Sequence, residues 1–122
     1  MPRVIHFEMH VKRPDRAARF YAEAFGWLTH PCGGPDDYWV LSTGPDSEAG
    51  IDGGVMRARD NAPRIVNTIA VESIDDSIER IVANGGEIVV PKTAVPGVGY
   101  NAYFKDTEGN CFGLHQSDAE AE

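Results

Sequence analysis

The sequence predicts an α+β chain of two tandem βαβββ modules forming a curved mixed sheet around a cavity. Three observations predict it. Arg3 to Val11 alternates apolar and polar residues with the period of two that a strand requires. Two later stretches carry apolar residues at helical spacing, and each is followed by glycine. The whole pattern restarts at an offset of sixty, pairing Ile5 with Ile65, Val11 with Val71, Asp15 with Asp75 and Gly26 with Gly86.

In the first module, Ile5, Phe7, Met9 and Val11 form one face of the opening strand, and Val4, His6, Glu8 and His10 form the other. Pro14 suits the first position of a helix, where no N–H is needed, and Asp15 suits the positive end of its dipole. Ala18, Tyr21, Ala22 and Phe25 make the apolar stripe, and Gly26 ends it. Three shorter strands are expected at 27–29, 38–43 and 51–58, parted by Pro31 to Asp36 and by Gly44-Pro45-Asp46. The spacing leaves open which of Tyr38 and Trp39 points to which face. Arg59 to Pro63 reads as a linker.

The second module opens with a strand over 64–71. Ser73 with Asp76 resembles a capping box, and Ile74, Ile78, Ile81 and Val82 supply the stripe of a helix closed by Gly85-Gly86. A strand over 87–91 leads to a loop over 91–99, which reads as a flap whose prolines limit its motion. Strands over 100–105 and 111–116 form a hairpin across Asp106 to Asn110. Near the module ends the offset becomes fifty-nine, pairing Gly50 with Gly109 and Gly54 with Gly113. The module bounds are therefore 3–58 and 64–116, with an acidic tail over 117–122 expected to fray.

At 122 residues the chain suits one compact domain, and a formal charge of -8 argues against a nucleic-acid or anionic-membrane partner. The first residues carry no secretory pattern and no run is long enough to span a bilayer, so a cytoplasmic location is expected. Cys32 and Cys111 lack metal-type spacing and read as buried free thiols.

If a helix covers one face of each curved module, the opposite faces bear His6, Glu8 and His10 and enclose a concave site for a small molecule. The residues that surround these positions resemble the vicinal-oxygen-chelate superfamily, which includes glyoxalase I, extradiol dioxygenases, fosfomycin-resistance enzymes and bleomycin-binding proteins. The likeness is carried by His6-Phe7-Glu8, Arg19-Phe20-Tyr21, Phe25-Gly26-Trp27, Asn84-Gly85-Gly86 and Tyr103 to Asn110. Pro91-Lys92-Thr93 through Pro96 to Gly99 is similar to a short glyoxalase-like subgroup.

The resemblance implies a glyoxalase-like fold, a homodimer, and modules that pair either within one chain or by exchange between chains. Its metal enzymes hold a divalent ion at positions that fall here on His6, Gly54, Val66 and Gly113. Only His6 can ligate, whereas such a centre generally needs about three protein ligands. No standard metal site is therefore expected; His6, Glu8 and His10 leave a non-standard divalent site open. Without metal, His6 or His115 can move a proton while the other, or Glu8, orients it. Tyr103 falls where the family's extradiol dioxygenases place an active-site tyrosine, suited to stabilising an oxyanion. His10, Trp39, Met56 and Tyr100 are candidate ligand-lining residues. Two functions compete: lyase- or isomerase-type chemistry on a small organic molecule, and sequestration of a drug or metabolite without turnover.

Overall fold

The computed structural model describes residues 1–60 and 62–122; Asn61, in the expected linker, lies outside the described residues. The chain divides into two compact units, residues 6–66 and residues 67–122 with 1–5.

In the unit of residues 6–66, strand β1 (Arg3–Val11) leads into helix α1 (Pro14–Phe25), followed by β2 (Leu28–Gly33), β3 (Tyr38–Ser42) and β4 (Gly53–Arg57). The strands lie in the order β2-β3-β4-β1, antiparallel except for the parallel pair β1 and β4. Pro14 opens α1 as its missing N–H allows, and Gly26 closes it at φ 74, donating its N–H to the Ala22 carbonyl. The helix buries Ala18 against Met9, Leu41 and Val55, with Phe7, Val11, Tyr21, Trp27 and Trp39 packed around them. Burial of each such aliphatic side chain contributes roughly 1.5–3 kcal/mol.

The other unit repeats this plan. Strand β5 (Arg64–Ala70) precedes helix α2 (Ile74–Ala83), then β6 (Glu87–Val95), β7 (Gly99–Lys105) and β8 (Cys111–Ser117). The order β5-β8-β7-β6 matches β1-β4-β3-β2, and β5 runs parallel to β8 as β1 does to β4. Ser73 caps α2 by accepting from the Asp76 N–H, as its spacing predicts. Val71, Ile74, Ala102 and Leu114 form the core, with Ile69, Ile78, Ile81, Tyr100 and Phe104 against it.

Several expectations need correction. Strand β2 runs on through Pro31 to Gly33, with a register shift at Cys32. The supposed flap is paired backbone: β6 continues to Val95, and the second of its two register shifts, between Val90 and Thr93, contains Pro91. A bulge tolerates proline because the ladder needs no N–H there. The tail is anchored by backbone hydrogen bonds. The Ala121 carbonyl accepts from Gly97 N–H, the Asp118 N–H donates to Val98, and Ala121 is only 3% exposed. Neither cysteine is buried: Cys32 is exposed and Cys111 is half-buried. No helix among the described residues is long and apolar enough to cross a membrane.

Candidate functional site

Strand alternation and the α1 core together assign the faces of β1. Phe7, Met9 and Val11 pack toward α1, so His6, Glu8 and His10 project from the opposite face. Glu8 is 8% exposed, and its Oε1 lies 2.7 Å from His10 Nε2. Residues two apart on a strand have Cα atoms about 6.6 Å apart, so these side chains lean together. A buried carboxylate needs such a partner.

The third polar contact joins residues distant in sequence. His6 Nε2 lies 3.1 Å from the Tyr38 hydroxyl. Tyr38 sits on β3, while β4 runs between β3 and β1. Adjacent strands are about 4.8 Å apart, so the phenol must lie across β4 to approach His6. Gly54 leaves that lane open. A Cβ at Gly54 would stand 2.0 Å from the Tyr38 hydroxyl oxygen and 2.3 Å from its Cζ. Gly53, on the other face, is likewise covered by the ring of Phe7.

Burial pushes the Tyr38 phenol far above its ordinary titration range, and the nearby Glu8 carboxylate and Cys32 add to the effect. The hydroxyl therefore stays protonated at any ordinary pH. Asp37, immediately before it, adopts φ 49, the single positive φ at a non-glycine among the described residues. That backbone is held by Arg57, whose N–H donates to the Asp36 carbonyl at 2.8 Å and whose guanidinium lies 3.5 Å from Asp37. Sparsely populated conformations persist only where their surroundings over-determine them.

In the other unit, Tyr103 and His115 share the face that looks away from α2, since Ala102, Phe104 and Leu114 pack toward the helix. His115 Nδ1 lies 2.6 Å from Asn101 Oδ1. Burial alone holds the imidazole below its ordinary range and so favours the neutral ring. The Tyr103 ring covers Gly113, where a Cβ would meet Tyr103 at 3.3 Å and Thr68 Oγ1 at 3.2 Å.

The remaining predicted lining residues divide. Met56 is buried on β4 in register with His10, on the face of Gly54. Trp39 instead packs with Met9, Leu41 and Val55 on the α1 face, and Tyr100 packs with the α2 core beneath Lys92. Neither shares a face with the histidines of its unit. Tyr38 is the aromatic residue that the sequence left undecided. The adjacent glycines Gly53-Gly54, on the strand beside the one that carries Tyr38 and Trp39, were the available signal for it.

The positions equivalent to the family's metal ligands do not fit an ion. Tyr38 fills the space that a liganding side chain at 54 would occupy, and Val66 is apolar and 0% exposed. Among the described residues no three His, Cys, Asp or Glu side chains cluster to hold a metal.

A glyoxalase-like domain family matches residues 6–115. The chain belongs to that family. The eight strands and two helices of the described residues have the glyoxalase-like fold of the vicinal-oxygen-chelate superfamily. A Mycobacterium tuberculosis protein named "Putative glyoxylase CFP32" is 29% identical over 106 residues, which cover 84% of this chain and 41% of that protein. The chain thus spans about two-fifths of the length of this curated relative. Methylmalonyl-CoA epimerase from M. tuberculosis superimposes with a TM-score of 0.73 at 15% identity, covering 94% of this chain and 87% of the epimerase. The Mn(II)-bound glyoxalase from Novosphingobium aromaticivorans gives 0.66 at 22% identity, covering 99% of this chain and 41% of that one. At such identities these two likenesses establish the fold alone.

Proposed function

We propose that the chain binds a small organic carbonyl compound and moves a proton at the carbon beside the carbonyl, without a metal ion. The observation that carries this reading is the buried Glu8 carboxylate, paired with His10 on the face opposite α1. A carboxylate fixed in place and shielded from water is a competent general base. Glu8 takes the proton as the C–H bond breaks, and the electron pair passes into an enolate whose oxygen carries the charge. Return of that proton by Glu8 to a neighbouring carbon restores the carboxylate and gives isomerisation. Inversion at the same carbon instead needs an acid on the opposite face of the enolate, with Glu8 passing its own proton to solvent. His10 orients the base. Tyr103 and His115 belong to the proposal as a second proton-handling pair on their own unit. The methylmalonyl-CoA epimerase neighbour makes acyl thioesters a reasonable first ligand class.

The test has two stages. A thermal-shift panel of acyl-CoA thioesters, glutathione adducts, catechols and cationic glycopeptides identifies a class, since a ligand of the native state raises its stability. Proton NMR in deuterium oxide then follows loss of the acidic C–H of the bound compound. Exchange should occur with the native chain and stop in Glu8→Gln, while binding persists. His6→Ala and His115→Ala that leave exchange intact would remove those residues from the mechanism. Stabilisation without exchange favours the second reading, a sequestering protein like the bleomycin-binding members of the superfamily. The formal charge of -8 favours a cationic guest for that reading.

A further inference from the structure

The Tyr38 arrangement goes further than the family resemblance does. We propose that the Tyr38 hydroxyl stands in the corner where metal-dependent relatives hold their ion, and that it offers the ligand's oxygen a neutral hydrogen-bond donor instead of a cation. This rests on the reading of a carbonyl ligand given above.

Three features converge on it. His6, the one ligating side chain left at the four equivalent positions, is engaged by the Tyr38 hydroxyl at 3.1 Å. A Cβ at Gly54 would overlap the phenol at 2.0, 2.3 and 2.9 Å, so tyrosine and a liganding side chain at 54 exclude each other. The backbone that delivers the ring bends through positive φ at Asp37 and is tied down by Arg57. The phenol is placed by construction rather than filling leftover space.

The hydrogen bond also fixes a tautomer. For the phenol proton to point at a ligand, His6 must carry its proton on Nε2 and donate to the Tyr38 oxygen. The hydroxyl then keeps its own proton for the ligand's carbonyl, whose oxygen gains negative charge when Glu8 removes the neighbouring proton. A donor aimed at developing charge stabilises it most.

The test needs no ligand. Native protein, Tyr38→Ala, and Tyr38→Ala with Gly54→Glu are titrated with Co(II), followed by visible absorbance and by metal analysis after dialysis. Far-UV circular dichroism checks that each variant is folded. The native chain should retain no stoichiometric cobalt. The double variant, with a carboxylate restored beside His6, should bind at least about tenfold tighter than native, and adding His6→Ala should abolish the gain. Stoichiometric cobalt on the native chain overturns the proposal, as does a folded double variant that gains nothing. Nitrogen-15 NMR provides an independent reading. His6 protonated on Nε2 supports the assignment, whereas protonation on Nδ1 makes Tyr38 the donor to His6 and sinks it. Because neither measurement involves carbon-acid exchange, their failure leaves the Glu8 reading to its own assay.

Discussion

The two repeats share a frame and differ in what they hang on it. In each, a tyrosine covers a glycine of the last strand on the face away from the helix: Tyr38 over Gly54, and Tyr103 over Gly113. In each, a histidine on that face has a side-chain partner. His6 meets a phenol, and His115 meets an amide. The histidines nevertheless lie on different strands, for β5 carries Val66, Thr68 and Ala70 at the positions of His6, Glu8 and His10. Duplication kept the strand order and the close packing, which any substitution would strain. The polar groups on the face away from the helix differ between the repeats. Repeat one became the carrier of a buried acid; repeat two did not.

The glycines test that contrast most severely. Gly54→Ala should destabilise by about 3 kcal/mol, because the rigid ring above it must leave its lane. Gly113→Ala meets atoms at 3.2 and 3.3 Å and should cost about 1 kcal/mol or less. Urea midpoints distinguish the two, and Tyr38→Ala should remove most of the first penalty but none of the second. Equal losses at both glycines would dissolve the contrast.

Polar partners come next. His10→Ala deprives the buried Glu8 carboxylate of its 2.7 Å contact and should cost about 2 kcal/mol, whereas Asn101→Ala, leaving a partly exposed ring, should cost about 1 kcal/mol. Tyr38→Phe keeps the ring over Gly54 and removes only the hydroxyl, so about 1 kcal/mol is expected from thermal unfolding.

The smallest effect is a pH slope. Burial lowers the His115 value below its usual 6.5, so the unfolded chain takes up the proton first as pH falls. This group's contribution is complete above about pH 6.5 and declines below it, until the folded ring protonates as well. His115→Asn should flatten that part of the stability profile; an unchanged slope would show that the imidazole is not desolvated.

Much of the frame was legible because it is local. Period two marked β1, Pro14 and Gly26 bounded α1, and Ser73 announced α2. What escaped was non-local or depended on parity. The facing of Tyr38 and Trp39 turns on Asp37, whose positive φ sets the phase with which β3 begins. The His6–Tyr38 contact joins residues 32 apart in sequence, and no pattern on β1 predicts it. Pro91 suggested a loop, but the register shift between Val90 and Thr93 absorbs it within β6. The acidic tail looked unanchored because its bonds to Gly97 and Val98 are made by backbone, which composition does not reveal.

The chain's two tryptophans, Trp27 and Trp39, both fall in the unit of residues 6–66. Trp39 buries its indole N–H with no hydrogen-bond partner among the described residues, while Trp27 stacks on Tyr21 at 5.0 Å. Indole emission excited near the red edge of the absorption band therefore reports on one repeat and is blind to the other. If that optical signal and the far-UV circular dichroism lose their native values at different urea concentrations, the halves of this duplicated chain melt as separate cooperative blocks.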